Sequence, residues 1–405
     1  MGARGGGRSS RKQRMRILSS LTYYEPHISG LTIYAKRALK GLAARGHQTT
    51  IVTSQFARHL PKRETVEGVT VVRTRATVKV SKGIVMPFYP FRMARELARH
   101  DVLLLHLPQF ESPVAAVLAR LMHRRIVTVC HCDIDLPPGI VRTVFMPLIR
   151  AAHFVTGVLS DVIVVNSRDY AENSRYLRRF RKKVIVSPPP CELRDAAGTF
   201  IARPEASPVI GFVGRFAEEK GITYLVDALP RILERAPRAH VVFVGEWQHV
   251  VGERVYDKLK DRLDALAGHI TLTGTVSDEE LAAWFHAFDV LVLPSVNSTE
   301  SFGMVQVEAM LAGTPVVASD RPGVREPVLA TGMGELVPPR DAGAIAEAVL
   351  RVAADRERYA RPREAIERIF GVERCVSFFE ALLGAVRDGA ELPSPGVLRL
   401  TGEGS

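Results

Sequence analysis

Cysteine is scarce in this chain, with four residues in 405, too few to read as a disulfide framework. The closest pair lies in Cys130-His131-Cys132, where alternate residues point to opposite sides of an extended segment and do not close on one metal. Buried or half-buried thiols are expected instead. Long hydrophobic runs are missing too. The longest candidate, residues 140–165, is interrupted by Arg142, Arg150, His153 and Asp161, which argues against a spanning helix. The N-terminus carries no apolar signal core, and Gly6 stands where a myristoylation motif needs Ser or Thr. These absences lead to the expectation of a cytoplasmic, non-lipidated protein.

What is present is a globular composition, 46% hydrophobic and 24% charged, on a chain long enough for two domains of about 200 residues each. Its charge is lopsided: residues 1–200 sum to +20 and the remainder to −8. Such a basic half suits an acidic partner, whether an anionic membrane surface, a polyanionic substrate or nucleic acid. Two clusters stand out. One is the arm with Arg4, Arg8, Arg11, Lys12, Arg14 and Arg16; the other runs from Arg175 through Arg178, Arg179 and Arg181 to Lys182 and Lys183. Clusters of this size fit anionic-lipid binding, which would place the protein peripherally on the cytoplasmic face of the membrane, and they also fit a plain solvated face. No DNA- or RNA-binding motif occurs, and no nucleic-acid partner is expected.

Taken in order, residues 1–13 offer nothing to bury and read as a disordered basic arm. Apolar runs at 15–21, 48–53, 69–73, 101–107, 125–131, 161–166 and 183–187 read as strands. Helical periodicity fills 31–44, 91–100, 112–123, 140–159 and 167–180. The prolines at 188–190 stop this series. A second series has strands at 209–213, 239–245, 269–273, 289–293 and 315–318, with helices near 219–235, 252–266, 277–287, 303–312, 341–354 and 373–387. The chain therefore divides into a domain over 14–192, a linker over 193–207, a second domain over 208–372, a C-terminal helix over 373–390 that crosses back, and a flexible tail over 391–405. Alternating strands and helices predict an α/β fold of two doubly wound, parallel-sheet halves, with ligands in the cleft at the strand C-terminal ends.

Two stretches carry candidate chemistry. In Ser295 to Gly323, Glu300 and Glu308 flank Ser301-Phe302-Gly303, the Asn297-Ser298-Thr299 cluster is a candidate cap, and an apolar stripe follows. A helix start suits a phosphate, and a carboxylate beside it suits sugar hydroxyls; the same two glutamates also fit an acid/base pair. In Val209 to Gly221 a strand ends at Gly214, and Arg215 and Lys220 flank the loop to the next helix, a place to hold a diphosphate. That loop is neither a P-loop nor a G-x-G-x-x-G fingerprint, and its two cations also fit a plain surface. Asp133-Ile134-Asp135 fits a divalent-cation pair, an acceptor contact or a loop cap.

FVGR-x4-KG at 212–221, E-x7-E at 300–308 with its internal SFG, and AMLAGTPVVASDRPGVRE downstream together resemble the retaining, nucleotide-sugar-dependent glycosyltransferases of family 4. The opening YYEPHISGLTIYAKRALKGLAARGHQTTIVTS resembles that family's N-terminal glycine loop and helix. The resemblance implies the GT-B fold, with two facing Rossmann-like domains around a deep cleft, and a sugar donor that is a UDP- or GDP-sugar. It implies that Arg215 and Lys220 bind the donor diphosphate and stabilise it as it leaves, that Glu300 contacts sugar hydroxyls near the reacting carbon, and that Glu308 binds the ribose. Gly214 and the backbone of Phe302, Gly303 and Met304 add substrate contacts. Gly30 lets the backbone approach the phosphate, with Ser29 where relatives carry a first glycine, and His131 lies near the reacting sugar. It further implies that no metal and no other cofactor is required, and that the acceptor is lipid-linked or a glycan. A nucleotide-sugar epimerase or hydrolase on the same framework, or a non-catalytic basic membrane- or nucleic-acid-binding protein, are the alternatives.

Overall fold

The computed structural model describes residues 14–80, 83–134, 139–248, 250 and 254–394. The expectations for the arm, for most of the C-terminal tail and for Asp135 lie outside them. The first half runs β1 (Arg16–Ser20), α1 (Gly30–Ala44), β2 (Gln48–Gln55), β3 (Arg63–Val66), β4 (Val69–Arg75), β5 (Val78–Val80), β6 (Gly83–Val85), α2 (Tyr89–Leu97) and β7 (Val102–Leu107). It continues with α3 (Ser112–Leu121), β8 (Arg125–Cys130), α4 (Ile140–Leu159), β9 (Val162–Val165), α5 (Arg168–Asn173) and β10 (Val184–Val186). The second half runs β11 (Val209–Val213), α6 (Ile222–Arg235), β12 (His240–Val244), α7 (Val255–Ala265), β13 (Ile270–Gly274), α8 (Asp278–Ala287), β14 (Val290–Leu293) and α9 (Met304–Leu311). After it come β15 (Val316–Ser319), α10 (Glu326–Thr331), β16 (Gly334–Val337), α11 (Ala342–Ala354), α12 (Arg356–Tyr359), α13 (Arg363–Phe370) and α14 (Val372–Asp388).

Two separate sheets form. The first has the order β10-β9-β8-β7-β1-β2-β4-β3 and the second β13-β12-β11-β14-β15-β16. Within these two sheets all pairs are parallel except β3 with β4, and β5 and β6 form a small separate antiparallel ribbon. Strands such as VLLLHL and VLVL are buried on both faces, the pattern of a sheet covered by helices on each side. Strand order reverses at β1 in the first sheet and at β11 in the second. The loops leaving those two strands therefore open onto the crevices where α/β sheets hold ligands. One of them leads to Gly30 and the other to Arg215 and Lys220.

The last helix belongs to the first half by packing. Phe379, Leu382 and Leu383 of α14 share a core cluster with Tyr34, Ala38 and Leu39 of α1. Arg45, just past α1, clamps it by donating to Glu380 at 2.8 Å and to Glu373.

Three expectations need correction. The single helix over 167–180 is broken, because Ser174 accepts from the Leu177 N–H at 3.1 Å and donates to Asp133 at 2.8 Å. A side chain competing for backbone donors ends α5 at Asn173, and a 3-10 segment over Leu177–Lys183 follows. The edge strand β3 and the glycine-led β16 were not expected from their short, weakly patterned sequences. Finally, Asn297-Ser298-Thr299 does not cap α9: the Thr299 N–H donates to Asn297 Oδ1 at 3.0 Å in a local turn, five residues before the helix begins at Met304.

Candidate active site

β11 runs directly into a 3-10 turn over Glu218–Lys220, which Gly221 joins to α6. Gly221 has φ +68°, and a Cβ there would stand 2.0 Å from the Pro294 carbonyl oxygen. Only glycine allows both the left-handed backbone and that approach. The turn is thereby pressed onto the end of β14, where the Val296 N–H donates to the Glu219 carbonyl at 2.9 Å. Lys220 gains its reach from this: its ammonium lies 2.5 Å from Glu300 Oε2, with the two side chains 20% and 14% exposed. Arg215 is freer, 42% exposed and 3.7 Å from Glu219. Two cations thus stand at the C-terminal edge of the second sheet, one half-exposed and one held by a carboxylate that an anion would compete with.

Glu300 lies in the loop between β14 and α9. Gly303 starts that helix at φ +76°, and a Cβ there would meet Leu293 Cδ2 at 2.5 Å. The Gln306 amide donates to the carbonyls of Phe302 and Val324, both at 3.0 Å, which fixes the loop from below. Phe302 is buried with its ring 5.6 Å from that of Phe370. Its ring is core, and only its backbone is left for a ligand. In the first turn of α9 the Gln306 N–H donates to the Gly303 carbonyl at 3.0 Å, while the N–H groups of Met304 and Val305 ahead of it have no helical acceptor, which gives the site a partial positive charge.

The first domain supplies the opposite wall. Gly30 opens α1 immediately after Ser29, whose Oγ accepts from the Thr32 N–H at 3.2 Å. A Cβ at Gly30 would meet nothing within 4 Å. The serine that stands in place of a first glycine is therefore the helix cap, and the glycine leaves open space above the helix start.

His131 follows β8 and is 4% exposed. Its ring stacks on His106 and lies edge-on to Tyr34, with centroids 5.1 and 4.6 Å away. A 2.9 Å hydrogen bond joins His131 Nε2 to His106 Nδ1. Burial lowers both imidazoles, His106 to about 3, and the charge of His106 adds to the lowering at His131. Nε2 of His131 is thus committed to the first sheet, and both rings are neutral at pH 7. The main chain of His131 is what meets the donor loop, since its carbonyl accepts from Ser301 Oγ.

Several residues at the cleft went unnoticed in the sequence. Arg37 of α1 donates to Glu308 Oε1 at 2.7 Å and to the carbonyls of Pro190 and Glu192 at 3.2 and 3.3 Å. The only sign of it was a cation between the buried residues Tyr34, Ala35, Ala38 and Leu39 of the same helix. Asp169 accepts from Arg325 Nη2 at 2.7 Å, from Arg325 Nε at 2.9 Å and from the Gly323 N–H at 2.8 Å. Tyr170 donates to the Ser298 carbonyl at 3.0 Å. Asp133 is an anchor for this region: burial raises its carboxyl above the ordinary range, and it accepts from Ser174. No group of three or more metal-ligating side chains is assembled among the described residues.

The chain is similar to known proteins over most of its length. The description "Glycosyltransferase Family 4" matches residues 28–194 and "Glycosyl transferases group 1" matches residues 207–355. Phosphatidyl-myo-inositol mannosyltransferase of Mycobacterium leprae is 36% identical over 170 residues, 41% of this chain and 43% of that protein. The match therefore spans less than half of that relative. The enzyme of that name from Mycobacterium tuberculosis is 30% identical over 293 residues, covering 68% of this chain and 72% of its own length. Among solved structures, sucrose-phosphate synthase from Thermosynechococcus elongatus superposes with a TM-score of 0.70 at 22% identity, over 93% of this chain and 100% of its own. Anabaena HepE in complex with UDP-glucose does so with a TM-score of 0.69 at 18% identity, over 90% and 98%. The fold is the two-domain, Rossmann-like GT-B fold, and by sequence the chain belongs to the family 4 glycosyltransferases.

Proposed function

We propose that the protein transfers a sugar from a nucleoside diphosphate donor to a lipid-linked or glycan acceptor with retention of configuration, without a metal, at the cytoplasmic face of a membrane. The observation that carries this reading is the contact of Lys220 with Glu300 beyond the C-terminal ends of β11 and β14, with Arg215 on the same loop as Lys220 and with Ser301 of the Glu300 loop bonded to the His131 carbonyl across the cleft. When the bond from the anomeric carbon to the diphosphate breaks, its electron pair goes to the departing oxygen. Arg215 and Lys220 meet the charge that develops there, and their help is greater in the transition state than in the ground state. Glu300 orients the sugar hydroxyls, and Glu308, fixed by Arg37, faces the ribose. The retaining outcome follows from delivery of the acceptor hydroxyl on the face the diphosphate leaves, where its oxygen bonds to the anomeric carbon and its proton passes to the departing diphosphate oxygen.

The lipid acceptor is supported by the mycobacterial relatives, whose name carries a phosphatidyl acceptor, and a UDP-sugar donor by the complex of HepE. A thermal-shift panel of UDP- and GDP-sugars, followed by turnover of the stabilising donor in chelator, tests the reading. Selective stabilisation by one donor and full turnover in chelator are expected. No shift across the panel would sink the donor assignment, and loss of turnover in chelator would bring Asp133 and Asp135 forward as ligands.

A further inference from the structure

Among the described residues, fifteen large hydrophobic side chains are exposed, and eleven of them lie between residues 85 and 158. Their arrangement is regular. On α3 the inward positions Ala115, Ala116 and Ala119 are buried, while Val114, Val117 and Leu121, with Phe110 just ahead of the helix, form a solvent-facing stripe at helical spacing. Leu121 is 71% exposed. On α4, Leu148, Val155 and Val158 make a second stripe beside Phe154. Phe88 and Phe91 extend the pattern onto α2. α3 packs against both α2 and α4, so the three stripes form one layer.

The charges around this layer have one sign. Residues 84–160 contain eight arginines and no lysine. Of the acids there, Glu96 and Glu111 are buried, while Asp101 and Asp133 are partly buried and bound to Arg16 and Ser174; none is exposed among the described residues. The basic 3-10 segment borders the layer. Its Phe180 ring lies 5.7 Å from that of Phe154, and Lys183 donates to the carbonyls of Gly157, Val158 and Ser160 at the end of α4. Arg178, Arg179, Arg181 and Lys182 are left exposed along that border.

We propose that the outer side of α2, α3 and α4 is the face on which the protein lies in the surface of an anionic bilayer, with the apolar stripes in the acyl boundary and the arginines among the headgroups. A second copy of the chain fits less well, because a two-fold pairing of this face would set its cations against themselves with no exposed acid to meet them. An anionic lipid surface complements both parts at once. No helix is long and apolar enough to cross a membrane among the described residues, so the contact is in the plane. Phe110 leaves the C-terminal end of β7 and Ile28 lies in the loop after β1, so one end of the face opens onto the cleft. That link to a lipid-borne acceptor rests on the function proposed above; the lipid contact does not.

The test is co-sedimentation of the full chain with vesicles of phosphatidylcholine alone and of phosphatidylcholine mixed with phosphatidylglycerol. Binding to the anionic vesicles is expected to exceed that to neutral ones by about tenfold or more. The double variant Val117→Glu, Leu121→Glu should lose about tenfold or more of it, with an unchanged Tm and an unchanged thermal shift with nucleotide sugar. That last readout separates a failure of this face from a failure of the donor site. If the glutamate variant unfolds early, the Val117→Ser, Leu121→Ser pair is read in its place. Wild-type protein that stays in the supernatant, or variants that sediment equally well, overturns the proposal. So does a concentration-dependent dimer that the variant abolishes, which would assign the face to a second copy.

Discussion

Lys220 is bound to a carboxylate in the very place where it is proposed to meet a phosphate, and the two roles have to be shared. Lys220→Ala is expected to weaken donor binding and to cut turnover by ~10²-fold, as for other preorganised charges at a leaving group; unchanged turnover would remove it from the site. Glu300→Gln separates the roles, since it keeps the shape and drops the charge. Turnover should fall while calorimetric affinity for the free nucleoside diphosphate stays nearly intact, and an equal loss of that affinity would mean that Glu300 does not touch the sugar. The paired histidines make a different kind of prediction. His106 is held in the fold at about 3, below the ~6.5 of an unfolded chain, so the folded state resists its protonation. The stability this contributes is full above pH ~6.5 and is lost as the pH falls toward the folded value, about 2 kcal/mol for such a histidine by pH 5. His106→Asn, which keeps a partner for His131 Nε2 and does not titrate, should flatten the fall in Tm between pH 7 and 5. A fall of wild-type size would place the acid sensitivity elsewhere.

Helix α1 shows what a single element does here and why it was only half legible. Its span followed from the helical periodicity over 31–44 between Gly30 and Gly46, and part of its buried stripe from the spacing of Ala35, Leu39 and Leu42. The doubly wound order was equally readable, and so was the placing of the Lys220 and Glu300 loops side by side, because short-range spacing places strand ends and the loops that leave them. Arg37 was not, because its partner Glu308 is 271 residues away and a cation on a helix stripe reads as one that reaches solvent along its stem. The broken helix at Ser174 was hidden for a related reason: its cause is Asp133, 41 residues upstream. The Arg37 and Glu308 side chains are 15% and 8% exposed, so removing one strands the other. Arg37→Ala is expected to cost about 3 kcal/mol, seen as a lowered Tm, and Arg37→Met with Glu308→Leu to recover much of it. Equal losses in the single and double variants would show that the pair is no unit and that α1 is held by its apolar face alone.

Across the whole molecule, every named contact over the cleft lands near the donor site. Ser298 and Ser301 lie in the Glu300 loop, Glu308 lies in α9, and Gly323 and Arg325 follow β15. Closing the cleft is therefore expected to order the donor loop with it, and the partly exposed ion pair of Asp169 with Arg325 is the contact on which to test this. Both side chains are under a third exposed, at 22% and 28%, and the contact is bidentate. Its removal should cost about 1 kcal/mol, less than a buried pair and more than a typical surface one. If the donor binds only the closed form, Arg325→Ala lowers the closed-to-open equilibrium constant by about fivefold and weakens apparent donor affinity by at most that factor. The radius of gyration from solution scattering should rise in the free variant and return to the wild-type value when saturating donor is added. A variant with wild-type scattering and affinity would mean that the remaining contacts, Arg37 with Glu308 foremost, hold the cleft shut without it. A variant that stays open at saturating donor would mean that Arg325 acts on the donor loop itself, through the Gly323 backbone that shares Asp169.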